Sequence, residues 1–120
     1  MRKCLTLVTA LLSVTLAWSQ KEIKIEEIGQ HVGDSVKVCA KIYGGIFLER
    51  AKGQPTLINV GAAYPEAPLT LIIRPEVRKD FKSPPEDFYK DKHVCIMGKV
   101  ELYRDKPQIT IHNEDQLTVQ

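Results

Sequence analysis

Apolar and polar residues alternate along several short stretches of the chain. In the clearest stretch, residues 36–42, every second side chain is apolar, and lysines and Cys39 lie between them. Residues 94–103 repeat this pattern and again place a cysteine, Cys95, between apolar positions. A period of two is typical of a β-strand that buries one face. Both stretches therefore predict strands, with their cysteines on the outward face.

Three further stretches are rich in residues that favour strands: PTLINVG at 55–61, LTLIIR at 69–74 and QITIHN at 108–113. Residues 75–92 differ from these, because prolines precede acidic residues and lysines follow, which is the charge order of short helices. Residues 25–34, IEEIGQHVGD, predict a helical turn before the first strand. The predicted order is therefore a helical turn, three strands, a short helical insert and two strands.

This order predicts an all-β fold, a five-stranded OB-fold barrel with a short helical insert between strands 3 and 4. In such a barrel the first and fourth strands are antiparallel neighbours, which explains why they share one pattern. Val77, Phe81 and Phe88 of the insert are candidates to close one end of the barrel. The predicted interior consists of Val36, Val38, Ile42, Leu57, Leu71, Ile73, Val94, Ile96, Val100, Ile109 and Ile111.

The first nineteen residues, MRKCLTLVTALLSVTLAWS, have two basic residues, then an apolar run, then small residues. This is the pattern of a cleaved secretory signal, with the cut after Ser19. An uncleaved anchor is the alternative, but the apolar run is shorter than the roughly 20 residues that cross a bilayer. We therefore expect a signal peptide at 1–19 and a single OB-fold domain at 20–120. The domain would be periplasmic or extracellular, with no membrane span after cleavage.

Loss of the signal changes the charge and the cysteine count. The whole chain has 17 Lys and Arg and 15 Asp and Glu; Arg2 and Lys3 belong to the signal, which leaves 15 of each. A neutral domain has no overall field that attracts phosphate backbones, although a local patch stays open. Cys4 also leaves, and an even number of cysteines in an exported chain favours a disulfide between Cys39 and Cys95. Two free thiols are the alternative.

Three sequence segments carry a family resemblance: HVGDSVKVCAKI, PTLINVGAAYPEAPLTLII and FYKDKHVCIMGKVELYRDKPQI, in this order. On these segments the chain, over residues 25–117, resembles the small exported OB-fold domains of bacteria. Some of those domains are fused to secreted nucleases, and others are stand-alone uncharacterised proteins. The resemblance implies the fold, export and a general association with nucleic acid. It implies no catalytic residue, since nuclease chemistry in the fused relatives would belong to their other domain.

The residues that usually carry chemistry do not form a recognisable group. His31, His93 and His112 lack the spacing of a zinc site, and no C-x-x-C motif is present. Ser35 begins a predicted strand and Ser83 precedes two prolines, so neither has an evident base. We therefore expect no enzyme activity, no catalytic residues, no metal site and no cofactor.

Binding is the remaining class of function. OB folds commonly bind ligands on strands 2 and 3, with the loops that join strands 1 to 2 and 4 to 5. The corresponding segments here, 43–54 and 103–107, contain aromatic residues beside cations, which suit stacked bases and phosphates and also a sugar or a peptide. An alternative is that Phe47 packs beneath its loop and the cations serve solubility. For Asn59 and Tyr64 the alternative is a structural role in a proline-bounded turn, in which Asn59 caps backbone groups. The predicted ligand-binding residues are Tyr43, Phe47, Arg50, Lys52, Asn59, Tyr64, Tyr103, Arg104 and Lys106.

Two hypotheses of function follow. The first is an exported OB-fold module that binds single-stranded nucleic acid or another oligomeric ligand, such as an oligosaccharide. The second is a structural or protein-interaction domain of the cell envelope, with an envelope protein as partner and no polymer ligand. Salt dependence separates them, because phosphate binding weakens steeply as salt rises.

Overall fold

The computed structural model describes residues 20–120, so the predicted signal peptide lies outside the described residues. Helical segments are short: the 3₁₀ helices η1 (Ile25–Gln30) and η2 (Glu114–Gln116) and the single-turn helices α1 (Pro75–Arg78) and α2 (Pro85–Phe88). The strands are β1 (Lys21–Ile23), β2 (Ser35–Phe47), β3 (Thr56–Val60), β4 (Leu69–Ile73), β5 (His93–Tyr103), β6 (Lys106–Ile111) and β7 (Leu117–Val119).

Five of these strands form a ring in the order β2, β3, β4, β6, β5, and β5 pairs back to β2. All neighbours in the ring are antiparallel except β4 and β6, which are parallel. The ring contains the five predicted strands, and α1 and α2 lie between the third and the fourth of them. The structure therefore confirms an all-β barrel with its helical insert.

The predicted number of strands is wrong, because the structure has seven. β1 pairs in parallel with β2, and β7 pairs in antiparallel fashion with β5. Each extra strand has three residues and a single buried side chain, Ile23 or Leu117. So short a segment shows no alternation in sequence. Both form because the edges of β2 and β5 offer unpaired backbone groups.

The interior of the barrel is aliphatic, and ten of the eleven predicted interior residues are fully buried. Leu57 is the exception: β3 buries Thr56, Ile58 and Val60, so Leu57 lies on the outer face. Ile58 and Val60 make the buried face the more apolar one, because Leu57 shares the other face with the polar Asn59. Arg78 Nη1 donates to Thr56 Oγ1 at 2.8 Å, which satisfies the buried hydroxyl.

The ends of the barrel are closed by the helical segments. Ile28 of η1 is buried, and Val77 and Phe81 of the insert pack against the core, as predicted. The prediction for Phe88 is wrong, because its side chain is exposed and its neighbour Tyr89 is buried instead. A single helical turn directs adjacent residues to different sides, and the sequence did not distinguish the two rings. Burial, with Glu114 nearby, raises the pKa of the Tyr89 hydroxyl.

The disulfide between Cys39 and Cys95 is present, with an S–S distance of 2.08 Å. The two cysteines are directly paired between β2 and β5, so the bond joins the first and fourth strands of the ring, as predicted. Cys95 is only 8% exposed, and Thr118 of β7 pairs beside it. A disulfide is compatible with an oxidising compartment outside the cytoplasm.

Candidate ligand-binding surface

The outward side chains of β3, β4 and β6 form one continuous surface. Their inward neighbours are fully buried, and successive side chains of a strand point to opposite sides, so the intervening residues face out. All six are half-buried. We call this surface the outer face, and it consists of Leu57, Asn59, Thr70, Ile72, Gln108 and Thr110.

The register divides the outer face into two rows. Asn59 pairs with Thr70, and Thr70 pairs with Gln108, so these three polar residues form one row across the strands. Leu57 and Ile72 are paired in the second row. Ile46 of β2 lies opposite Leu57 and is 54% exposed. The second row therefore presents adjacent aliphatic side chains to solvent. Ile46 is not among the predicted ligand-binding residues, because the sequence of residues 43–54 indicates a loop, whereas in the structure β2 continues through it to Phe47.

The loop between β2 and β3 is shorter than predicted, because β2 continues as far as Phe47. Tyr43 and Phe47 are therefore strand residues and not loop residues, which corrects the sequence-based assignment. The observed loop, residues 48–55, carries the exposed cations Arg50 and Lys52. Leu48 N donates to the Pro55 carbonyl at 2.9 Å and closes the base of this loop.

The connection between β5 and β6 is a tight turn. Arg104 and Asp105 both have positive φ, 50° and 64°, as in the two-residue turns that favour hairpins. Tyr103 and Lys106 pair with each other across the hairpin and are exposed. Arg104 and Asp105 thus form the tip of the hairpin, next to the exposed pair of Tyr103 and Lys106.

The two cationic loops lie at opposite ends of the outer face. β3 begins directly after loop 48–55 and ends before loop 61–68. β4 begins after loop 61–68, and β6, which is parallel to β4, begins after the turn at 104–105. The structure therefore places Arg50 and Lys52 at one end, and Tyr64 with Tyr103, Arg104 and Lys106 at the other.

Exposed aromatic rings lie beside cations on this side of the molecule. Tyr103 is 58% exposed, with Arg104 Cζ 5.3 Å from its ring centroid. Tyr43 is 40% exposed, with Lys41 Nζ at 4.9 Å. These distances are those of cation–π contacts. Tyr64 is 80% exposed in its loop. Such rings have solvent-facing surface on which a flat group can stack.

Phe47 is in a different environment, because a charged pair covers it. The Arg78 guanidinium lies 3.9 Å from the Phe47 ring centroid. The same guanidinium donates to both carboxylate oxygens of Glu86, at 2.5 and 2.9 Å. This hydrogen bonding raises the pKa of Arg78 and lowers that of Glu86. We call Phe47, Thr56, Arg78 and Glu86 the Arg78 clamp; it anchors the end of β2 to the helical insert.

Within residues 20–120, no group of three or more His, Cys, Asp or Glu side chains is arranged to hold a metal ion. The predicted absence of catalysis stays a prediction. In the same part of the chain, none of the helices has the length and apolar character needed to cross a membrane.

Comparisons with known proteins concern the fold. No protein-family model matches the chain, and no curated protein matches it. Among solved structures, the chain is similar to the crystal structure of an aspartyl-tRNA synthetase from Leishmania major Friedlin, with a TM-score of 0.53 and 12% sequence identity. The similarity covers 90% of this chain and only 22% of that one. It supports the barrel fold described above.

Proposed function

We propose that the protein is an exported OB-fold module that binds single-stranded nucleic acid and has no catalysis of its own. One observation carries this proposal: the half-buried outer face is flanked at its two ends by exposed cations, with exposed aromatic rings at one of them. A strand bound across β3, β4 and β6 would place its bases on the face and its phosphates near the loops.

Each part of this surface has a matching part in the ligand. Ile46, Leu57 and Ile72 provide an apolar floor for base rings, and Tyr103 provides a ring on which a base can stack. Asn59 and Gln108 offer amide donors and acceptors to base edges. Arg104 and Lys106 are cations near the backbone path, where phosphate contacts supply affinity without sequence preference.

Two further observations support parts of the proposal. The solved structure to which the chain is similar is named for tRNA, which agrees with a nucleic-acid ligand. The disulfide agrees with export, and so does the resemblance of the chain to exported bacterial OB-fold domains. A signal peptide at 1–19 and a domain at 20–120 complete the proposed organisation.

A second candidate function is a protein-interaction domain of the cell envelope. The observation that favours it is the aliphatic row, in which Ile46 is 54% exposed. An apolar surface of this kind suits a protein partner. The domain also has as many acidic as basic residues, so no overall charge draws it to a polyanion.

A salt titration tests the proposal. Fluorescently labelled single-stranded oligonucleotides are titrated with the protein at several salt concentrations, and anisotropy is measured. We expect affinity to fall as salt rises, and we expect the double variant Arg104→Ala, Lys106→Ala to bind more weakly. Because each lost phosphate contact lowers the salt slope for a single strand by about 0.7, the slope should fall by up to about 1.4.

The matched control is the double variant Lys21→Ala, Lys24→Ala, which also removes two exposed charges. Lys21 lies in β1 and Lys24 follows it, and β1 pairs with β2 and not with the strands of the outer face. It should bind as the wild type does. Absence of binding at low salt would reject the nucleic-acid proposal and favour the interaction domain. Equal binding by the two double variants would reject the assigned role of the β5–β6 turn.

A further inference from the structure

A group of lysines and aromatic rings lies beside the outer face, outside loop 48–55 and the β5–β6 turn. We call it the β2–α2 patch, and it consists of Lys41, Tyr43, Phe88, Lys90 and Lys92. Backbone hydrogen bonds bring its two segments together. Ile42 N donates to the Lys92 carbonyl at 2.9 Å, and Asp91 N donates to the Ile42 carbonyl at 2.8 Å. These two hydrogen bonds hold residues 90–92 next to residues 41–43.

One lysine of the patch, Lys90, lies over β2 at Gly44. The backbone of Gly44 has φ 115°, and a Cβ built there would lie 3.8–3.9 Å from the methylene carbons of Lys90. The Lys90 side chain thus lies over a residue that has no side chain of its own. Gly44 is buried, whereas Lys90 is exposed. The lysine stem covers the strand and leaves the ammonium group in solvent.

The patch carries positive charge next to exposed rings. Lys92 Nζ lies 3.5 Å from the Phe88 ring centroid, and Phe88 is 44% exposed. Lys41 lies over Tyr43 in the same way. In the described part of the chain, the ion pairs within 4.0 Å are His31–Asp34 and Arg78–Glu86 only. The three lysines of the patch therefore have no carboxylate partner at that distance.

Acidic residues near the patch offset only part of its charge. Asp91 lies between Lys90 and Lys92, and Asp87 precedes Phe88. Glu86 of the same insert is occupied by Arg78. The chain segments that form the patch therefore contain three lysines and two carboxylates besides Glu86, and Lys41 and Lys92 lie over its rings.

The patch continues the polar row of the outer face. Gly44 pairs with Asn59 across β2 and β3, so Lys90 lies at the end of the row that runs from Gln108 through Thr70 to Asn59. Neighbouring strands are about 4.8 Å apart, and the row from Gln108 to Gly44 therefore extends about 14 Å. A strand that follows this row arrives directly at Lys90.

We propose that the β2–α2 patch is a second binding segment for single-stranded nucleic acid, which receives the strand as it leaves the outer face over Gly44. This inference rests on the proposed function and adds the direction of the ligand path. Lysines would contact successive phosphates, and Tyr43 and Phe88 would each offer a ring to a base. Alternation of cation and ring matches the repeating phosphate and base of the polymer.

The experiment compares short and long oligonucleotides. A short one, of about 4 nucleotides, fits the outer face, and a long one, of about 12, reaches the patch; both lie within the known range for one OB fold. The test variant is the triple substitution Lys41→Gln, Lys90→Gln, Lys92→Gln. The control is Lys21→Gln, Lys24→Gln, Lys82→Gln, which removes the same charge from exposed positions outside the patch.

We expect the test variant to bind the long oligonucleotide about tenfold more weakly at low salt, with a salt slope lower by about 2, because three phosphate contacts are lost. Its affinity for the short oligonucleotide should equal that of the control. The unfolding midpoints of both variants should match the wild type, which shows that any change concerns binding.

Three outcomes would contradict the inference, and they are distinguishable. If the wild type binds but the test variant behaves as the control with both lengths, the patch has no role and the proposed function stands. If the test variant loses affinity equally for short and long ligands, the patch does not extend the path. If the wild type binds neither length, the proposed function fails and the inference fails with it.

Discussion

The two halves of β2 are built and held in different ways. The first half, residues 35–41, pairs regularly with β5, carries β1 on its other edge and is bonded to β5 through Cys39. The second half, residues 42–47, pairs with β3 and has an irregularity in register between Ile42 and Gly44. It has no covalent link, and the Arg78 clamp covers its last residue, Phe47. The first half is therefore fixed by a covalent bond, whereas the second half is held by its pairing with β3 and, at its end, by the charged pair of the Arg78 clamp.

The two halves of β2 also differ in how far their side chains are buried or exposed to solvent. The first half has neighbours on both edges, and its inward residues Val36 and Val38 are fully buried. The second half bends across the barrel and presents Tyr43 and Ile46 to solvent. Gly45 lets this half approach β3 closely, since a Cβ there would collide with the Leu57 carbonyl oxygen. The half that is less constrained is the half next to the proposed ligand.

Removal of the disulfide should have the largest effect and should act on the first half. The bond closes a loop with a sequence separation of 56 residues. A loop of that size corresponds to a stabilisation of about 4 kcal/mol at best on the chain-entropy account. We expect the variant Cys39→Ala, Cys95→Ala to lose a free energy of unfolding that approaches this value, as measured by urea denaturation.

Alkylation before and after reduction, followed by mass spectrometry, checks the premise of that prediction. Cys39 and Cys95 should take the label only after reduction. Labelling of both thiols before reduction would show that the bond is absent, and the two halves of β2 would then be held by noncovalent contacts alone.

A smaller loss of stability should distinguish an inward from an outward side chain of β3, the strand that pairs with the second half of β2. Ile58 is fully buried opposite Gly45, and we expect Ile58→Ala to lower the free energy of unfolding by about 3 kcal/mol. Leu57→Ala removes similar atoms from a half-buried outward position and should cost less than about 1 kcal/mol. Chemical denaturation of both variants gives the comparison. Equal losses would place Leu57 in the core and reverse the assignment of the outer face.

The smallest expected effect on stability concerns the Arg78 clamp at the end of the second half of β2. Hydrogen bonds from Arg78 lower the pKa of Glu86 in the folded state. A lowered folded-state pKa stabilises the protein above the ordinary Glu value of about 4.3, and this stabilisation is lost as pH falls through the folded-state pKa. Glu86→Gln should therefore cost about 1 kcal/mol near neutral pH, and the difference from wild type should shrink in acid.

Thermal or urea unfolding at about pH 7 and about pH 3.5 measures this difference. Asp80→Asn is a suitable control, because Asp80 is exposed and its carboxylate forms no ion pair within 4.0 Å among residues 20–120. A wild-type advantage over Glu86→Gln that is the same at both pH values would show that the clamp contributes packing and not charge.

Alternation along the sequence was sufficient to predict much of the barrel. The five ring strands, the helical insert and ten interior residues follow from period two and from proline and charge order, since a buried sheet face requires apolar side chains at every second position. The disulfide also follows, because the two cysteines occupy the same place in neighbouring strands. Closure of the ring brings those strands together, because β5 pairs with β2.

Tertiary contacts decided the features that carry no local pattern. β3 has apolar residues at both Leu57 and Ile58, and pairing with β2 and β4 places Ile58 inward, opposite Gly45 and the buried Leu71. β2 continues past Ile42 through two glycines because β3 pairs with it, although glycines alone indicate a loop. The β2–α2 patch joins segments that are more than forty residues apart in sequence. Period and composition report on a residue and its near neighbours, whereas hydrogen bonds and strand pairing between distant segments determine which face a side chain occupies.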